Sequence, residues 1–374
     1  MISIDFLAKL LSLPYVVIKA VLQYYTVGTI YSRTNIEFRN SLWKNVLLSV
    51  EYHMSGNYKK QNVKAVVYEP VEKVFKQVAK NPMVKSLNGF GEKFDARSYW
   101  IHKSDNPSGK VLVYLHGGGY LLNLFKSQLV SIAALHYALD ARVADELSIL
   151  VVDYSLTLFD HVFPAQLVES LESYTNLIKA GFKDIHLIGD SAGGHLAVNM
   201  QMAIANPKET KEMFADFGYD GGALDGKLVA PKSLSLLSPW VQPTVAPIVS
   251  PGVNTWGDLG ALDTTLGELF VEGIPKDQLA RYNRYINLCN VPPLPETLVI
   301  VGEREVLKNG IDMFVADAQG PIEYHEEPGG IHAAMVYVEG LDYSGNKGAK
   351  RAIAGDFTNK FAYNLVAEFL SRNV

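Results

Sequence analysis

From about residue 97 the chain alternates short β-rich runs with helical patterns, and this rhythm constrains the fold more than any other feature of the sequence. The β-like runs are 97–102, 110–115, 147–154, 184–188, 233–237, 297–301 and 321–325. Several are unbroken Val/Ile/Leu stretches, the pattern of strands covered on both faces. Residues 165–180, 194–205, 308–318 and 350–372 carry apolar side chains at helical spacing. Strands alternating with helices specify βαβ units, so the expected class is α/β, a mostly parallel central sheet with helices on both faces. Two segments break the rhythm. Residues 207–231 are polar and Gly-rich and read as a surface excursion, whereas 241–294, rich in Pro and Gly around a helical piece near 264–286, are long enough to form a cap.

Composition excludes several classes. At 374 residues and 48% hydrophobic content the chain is too apolar to be disordered and long enough for one large core with a covering element. Thirty-four Lys and Arg against thirty-nine Asp and Glu give a net charge of −5, which leaves no basic field for a nucleic-acid partner. The single cysteine, Cys289, can close no internal disulfide and build no Cys-rich zinc site. No His/Asp/Glu set has metal-ligand spacing, and no cofactor is implied.

Residues 2–32 are apolar and aromatic, but Asp5, Lys9 and Lys19 interrupt them. No charge-free stretch reaches the roughly 18–20 residues that cross a bilayer. No basic region precedes the run and no small-x-small site closes it, so it does not read as a cleaved leader. A helix from Pro14 onward would place Val17, Ala20, Val21 and Tyr24 on one face, with Lys19 and Gln23 off it. Residues 33–56 continue as a second helix-like segment with Leu42, Val46, Leu47 and Val50 at helical spacing. Two readings stand: a helix packed over the protein's own pocket, or an interfacial membrane contact, of which a marginal span anchored by snorkelling Lys9 and Lys19 is a variant.

Chemistry enters at Gly189-Asp190-Ser191-Ala192-Gly193-Gly194, a G-x-S-x-G motif between a strand pattern and a helix pattern. The turn is tight enough that the residues two before and two after the serine must be small. Ser191 would then stand at a helix N-terminus, where free N–H groups and the dipole favour developing negative charge. Upstream, a strand pattern runs into His116-Gly117-Gly118-Gly119-Tyr120. Glycines there leave backbone N–H groups unhindered, so Gly118 and Gly119, with Ala192, are the expected oxyanion donors. The alternative, a phosphate-binding loop, lacks the Lys-Ser/Thr of a P-loop, and the glycines do not fit G-x-G-x-x-G. His116 reads as structural, since a base on this loop would compete with the donors for space.

HGGGY at 116–120, GDSAGG at 189–194 and the stretch 154–165 between them resemble the hormone-sensitive-lipase-like branch of the α/β-hydrolases, over about residues 95–374. Within that branch, SerProTrpVal at 238–241, GlyGluArgGluValLeu at 302–307 and the lead-in at 13–21 are similar to the fungal steryl acetyl hydrolases. The resemblance implies an α/β-hydrolase fold and a serine esterase acting on short acyl (acetyl) esters of hydrophobic alcohols such as sterols.

A serine hydroxyl needs a histidine to take its proton and a carboxylate to orient that histidine, in the chain order Ser, acid, His for this fold. Past the helix that follows Ser191, only His325 and His332 remain, and His325 sits inside a strand-like run. His332, in the Gly-rich loop after it, is the expected base. In the family the acid is usually Asp in a D-P-L arrangement. Here Glu305-Val306-Leu307 holds those positions, so Glu305 is the expected acid, with Asp312 and Glu303 as alternatives. Asp190 is expected to bond backbone around its turn, Asp160 and His161 to be structural, and His195 to serve packing. Expected organisation is an N-terminal apolar helical segment at 1–60 and a catalytic domain at 61–374 with a cap insertion at 241–294. Trp240, Trp256, Phe270, Tyr282 and Tyr285 are expected to line an apolar pocket. An acyltransferase using the same acyl-enzyme, or a ligand-binding protein on a non-catalytic scaffold, are the rival readings. The chain contains no Asn-x-Ser/Thr sequon, which argues mildly against the secretory lumen. The expected location is intracellular, cytoplasmic or associated with the endoplasmic-reticulum membrane.

Overall fold

The computed structural model describes residues 2–374 except Asn40, Asn57, residues 106–108 and Lys227. Its strands are β1 Ser98–His102, β2 Lys110–Leu115, β3 Leu147–Val152, β4 Asp184–Asp190, β5 Ser233–Leu237, β6 Glu296–Gly302 and β7 Ile322–Glu327. They form one seven-stranded sheet in the order β1-β3-β2-β4-β5-β6-β7. Only β1 runs antiparallel, beside β3; the other neighbours are parallel. Every β-like run of the sequence is a strand of this sheet. The fold is an α/β-hydrolase.

Period-two alternation divides the core. Val111, Val113 and Leu115 of β2 pack on one face with Leu187 and Leu236, whereas Leu112 and Tyr114 pack on the other with Ile149 and Ile300. Each fully buried Val or Leu contributes on the order of 2 kcal/mol, so a shift of one residue in any strand would exchange both faces at large cost.

The main helices, in chain order, are α1 Ile4–Tyr25, α2 Leu42–Met54, α3 Lys126–Ala138, α4 Ala165–Lys179, α5 Ala192–Ala205, α6 Pro207–Asp216, α7 Lys308–Asp317, α8 Asn346–Ile353 and α9 Phe361–Asn373. Helices α4, α5, α6 and α7 cover the face that holds Val113, and α3, α8 and α9 cover the face that holds Tyr114.

Several elements differ from the sequence reading. The helix expected from Pro14 starts at Ile4, where the Ser3 hydroxyl accepts the Phe6 N–H and the Ser3 N–H is held by Asn62 Oδ1 at 2.9 Å. The excursion at 207–231 opens with α6, whose buried Thr210, Met213 and Phe214 are the i, i+3, i+4 stripe that its polar composition masked. The pattern at 350–372 is two helices, α8 and α9, parted at Gly355 in left-handed backbone with φ 71°. The helical piece near 264–286 is three short helices, Thr265–Phe270, Lys276–Arg281 and Asn283–Ile286. Helix α3 gave no periodic signal because it is buried along most of its length.

The N-terminal segment packs its two long helices and the turn between them on the chain that follows β6 and β7. Lys9 Nζ donates to Ser55 O at 2.6 Å and Ser12 Oγ lies 2.8 Å from His53 Nε2, joining α1 to the end of α2. Tyr31, Phe38 and Leu48 form a small core with Ile331, Ala334 and Val338. Buried Lys44 pairs with Glu37 at 2.6 Å and Asp342 at 2.8 Å, and buried Lys360 reaches the same Glu37 at 2.7 Å. This network ties the segment to the chain just before α9.

Candidate active site

The carboxyl ends of β2, β4, β5, β6 and β7 point to one rim of the sheet, and the order of strand addition reverses between β2 and β4, with β3 on one side of β2 and β4 on the other, where ligands of open α/β sheets gather. Ser191 sits at that point, between β4 and α5, with φ 52° and ψ −118°. A non-glycine residue is strained there. The strain is held by two bonds from the next strand's end: Ser191 N–H donates to Leu237 O, and Trp240 N–H to Ser191 O, both at 2.9 Å. The turn tolerates no side chain two residues on, since a Cβ at Gly193 would stand 1.8 Å from Leu115 O.

After β2, Gly118 and Gly119 take φ 120° and 58°. Their N–H groups, and that of Ala192 at the first position of α5, donate to no acceptor among the described residues. Asp190 fixes the loop: it is fully buried and its carboxylate accepts the Gly117 N–H at 3.0 Å, the Tyr114 hydroxyl at 2.6 Å and Gln128 Nε2 at 3.1 Å. Burial holds this carboxyl above the usual range. Gln128 and Tyr114 carry no motif and were not singled out in the sequence.

Glu305 and His332 meet after β6 and β7. His332 Nδ1 lies 2.8 Å from Glu305 Oε1, and Glu305 Oε2 accepts the Gly302 N–H at 2.9 Å. Both residues are buried. The loop that carries His332 is tied toward Ser191, because Ala333 N–H donates to Ser238 Oγ at 2.9 Å, one residue beyond the Leu237 carbonyl that holds Ser191. Burial pushes the imidazole down, but Glu305, Asp258 and Asp190 push it up further, and the net pKa is raised.

The alternatives are engaged elsewhere. Asp312 pairs with Lys308 at 2.7 Å and accepts the Tyr324 hydroxyl at 2.5 Å, and Glu303 accepts the Gly329 N–H at 2.6 Å. His325 is half-exposed on β7 beside Glu323. His116 stacks on Tyr154 with ring centroids 4.3 Å apart, and its burial drops its pKa to about 4. His195 does more than pack: it lies 2.6 Å from the Tyr120 hydroxyl and 3.0 Å from Ile286 O, tying α5 to the cap. Asp160 is exposed and paired with Lys60 at 2.8 Å.

The cap aromatics divide, which corrects the expected pocket lining. Phe270 stacks on Tyr120 at 4.3 Å, and Trp240 stands 6.4 Å from the same ring. Tyr282 and Tyr285 turn away because their buried hydroxyls find partners at α6, Asp216 at 2.5 Å and Thr210 at 3.2 Å. Trp256 is 70% exposed and borders an outer groove of about 700 Å³ with Tyr15, Lys19 and Tyr31.

Residues 4–253 match the family model described as steryl acetyl hydrolase. The chain belongs to the steryl acetyl hydrolase family. Its class is that of the carboxylic ester hydrolases. Among curated relatives, the mug81 protein of Schizosaccharomyces pombe is 27% identical over 333 residues, 83% of each chain. Steryl acetyl hydrolase 1 of Saccharomyces cerevisiae is 27% identical over 144 residues, 37% of this chain and 28% of that one. A hormone-sensitive lipase from a metagenome library superposes with a TM-score of 0.60 at 22% identity, covering 87% of this chain and 96% of its own. An esterase of the bacterial hormone-sensitive lipase family gives 0.53 at 20% identity, over 82% and 99%. At these identities the structural likeness speaks for the fold.

Proposed function

We propose that this family member hydrolyses short acyl esters, acetates above all, of hydrophobic alcohols such as sterols, through an acyl-enzyme. Ser191 attacks the ester carbonyl while His332 takes its proton. Glu305 holds the imidazole in the tautomer that leaves Nε2 free to accept. The N–H groups of Gly118, Gly119 and Ala192 receive the oxyanion, each such donor being worth about 3 kcal/mol. The alkoxide leaves with the proton from His332, and water activated by the same imidazole releases the acid and restores Ser191. The observation that carries the reading is the 2.8 Å Glu305–His332 contact on the rim that also presents Ser191 and three N–H groups with no acceptor among the described residues. The buried aromatic cluster of Tyr120, Phe270 and Trp240, the last bonded through its main-chain N–H to Ser191 O, supports apolar surroundings for the ester.

The N-terminal segment supports an interfacial role. Ile4, Leu7, Leu11, Tyr15, Ile18, Leu22 and Tyr25 form one exposed apolar stripe along α1, while Lys9 and Ser12 bond to the protein. A stripe of this length turned to solvent is what a lipid surface would cover. No helix among the described residues is long and apolar enough to cross a membrane. On this reading α1 lies flat on a lipid surface, in keeping with an intracellular location, cytoplasmic or associated with the endoplasmic-reticulum membrane.

Turnover of p-nitrophenyl acetate, p-nitrophenyl octanoate and a sterol acetate by the wild type and Ser191→Ala tests the reaction. The expected result is hydrolysis of both acetates, weak turnover of the octanoate and silence of the variant. An inert wild type, or an active Ser191→Ala, would overturn it.

A further inference from the structure

The loops that carry acid and base are joined by a residue that no motif marks. Asp258 lies in the excursion between β5 and β6 and is fully buried. One carboxylate oxygen accepts the main-chain N–H of His332 at 2.7 Å. The other accepts the N–H of Val306 at 2.9 Å and that of Gly260 at 3.3 Å. Val306 directly follows Glu305, so one side chain spans the two loops whose own side chains must meet.

The strap that carries Asp258 is itself fixed from two directions. The Tyr31 hydroxyl stands 3.0 Å from the Gly257 carbonyl and shares its proton with Leu48 O. Arg304 donates from Nε to Asn254 O at 3.0 Å, from Nη2 to Trp256 O at 2.6 Å, and from Nη1 to Thr34 Oγ1 at 2.8 Å. The neighbour of the acid, the N-terminal segment and the strap therefore hold one another in register.

We infer that Asp258 is a positioning residue for hydrolysis, setting the backbone of His332 against that of Val306 so that Glu305 meets the imidazole. The inference rests on the reading of Ser191, His332 and Glu305 as the catalytic triad. Removing the carboxylate frees the N–H groups of His332 and Val306, which have no other acceptor among the described residues, and lets the base drift, and a displacement of about 1 Å at such a site costs on the order of 100-fold in rate. Charge gives a second signature. The titratable groups facing the imidazole are Glu305, Asp258 and Asp190, and those facing Asp258 are Glu305, His332, Tyr31 and Arg304. Burial and the charge of Glu305 push the Asp258 carboxyl up to about 6, and the negative charge of Asp258 adds to the basicity of His332.

The test is steady-state hydrolysis of p-nitrophenyl acetate by full-length wild type, Asp258→Ala and Asp258→Asn from pH 5 to 9, with thermal melts of each. Asp258→Ala is expected to lose roughly 10- to 100-fold in kcat with KM little changed. Asp258→Asn, which keeps one acceptor and loses the charge, should recover part of kcat while the acidic limb of kcat/KM moves down by about 0.5 to 1 pH unit. A folded Asp258→Ala with wild-type kcat overturns the inference. If Asp258→Ala does not fold, an acidic limb in Asp258→Asn at the wild-type position overturns it. An active Ser191→Ala sinks the triad reading instead, which keeps the two failures apart.

Discussion

Glu305 and His332 stand 27 residues apart in the chain and 2.8 Å apart in the fold, with Gly302 N–H on the carboxylate oxygen that the imidazole leaves free. The carboxylate therefore has a fixed orientation before any substrate arrives, and its length matters.

Glu305→Asp withdraws the carboxylate by one methylene and should lower kcat/KM by roughly 10- to 100-fold. Glu305→Gln, which keeps the length but can present a donor to Nδ1, should cost about 1,000-fold or more. The base must be neutral to act, and the net pKa of His332 is raised above its ordinary 6.5, so wild-type kcat/KM should climb with pH through an inflection above 6.5. Glu305→Gln should carry that inflection to lower pH. An acid limb that stays in place when the charge is removed would count against this pairing.

Asp190 links the turn of Ser191 to the glycine loop after β2 through the Gly117 N–H. Asp190→Ala should lower kcat by about 100-fold with little change in KM, because the misplaced donors serve the transition state. Asp190→Asn keeps an acceptor for the Gly117 N–H and should lose less. Equal losses in the two variants would show that the bond to Gly117 is not what matters.

Helix α1 offers a separable prediction, since its apolar stripe faces away from the site. Leu11→Asp with Ile18→Asp, at positions 74% and 58% exposed, should abolish flotation with phospholipid vesicles and leave hydrolysis of soluble p-nitrophenyl acetate unchanged. Wild-type protein that stays at the bottom of the gradient would refute the interfacial role.

Stability should fall as pH rises from about 6.5 to 8. Burial, with the nearby charge of Glu339, holds the Glu327 carboxyl up to about 8, and burial with Glu37 holds Glu339 up to about 7. Folded protein thus keeps protons that the unfolded chain releases near pH 4.5, and stability is lost as pH rises through the folded values. Four histidines, buried His116, His186 and His195 and half-buried His136, have pKa values lowered to about 4 and act oppositely, but only below about 6.5. Between pH 6.5 and 8 the carboxylates decide the sign, and the Tm should drop by roughly 2 °C or more. Glu327→Gln, which keeps an acceptor for Asn35 Nδ2, should flatten that slope in differential scanning fluorimetry.

Much of this was legible because it is local. Strand runs such as 110–115 and 147–152 show their burial in the residues themselves, and the turn around Ser191 can be built only from small neighbours. His332 followed from chain order and from the Gly-rich loop, whereas Glu305 came from the resemblance to the family's D-P-L positions, with Asp312 and Glu303 as alternatives. Asp258 was invisible for the opposite reason. It lies among Pro and Gly residues with no period, and its partners are main-chain N–H groups that leave no trace in residue type. Helix α3 was missed because a helix buried on nearly every side has no polar face to set a period.

The sequence by itself determined the α/β class, the strand list, the nucleophile turn and the glycine loop, since each depends on conformational demands within a few residues. Only the tertiary structure decided which carboxylate meets His332, which cap aromatics reach Tyr120, and that α1 turns its apolar face to solvent. Those outcomes depend on distances between segments far apart in the chain, and such distances are fixed by packing and by hydrogen bonds that residue spacing does not encode.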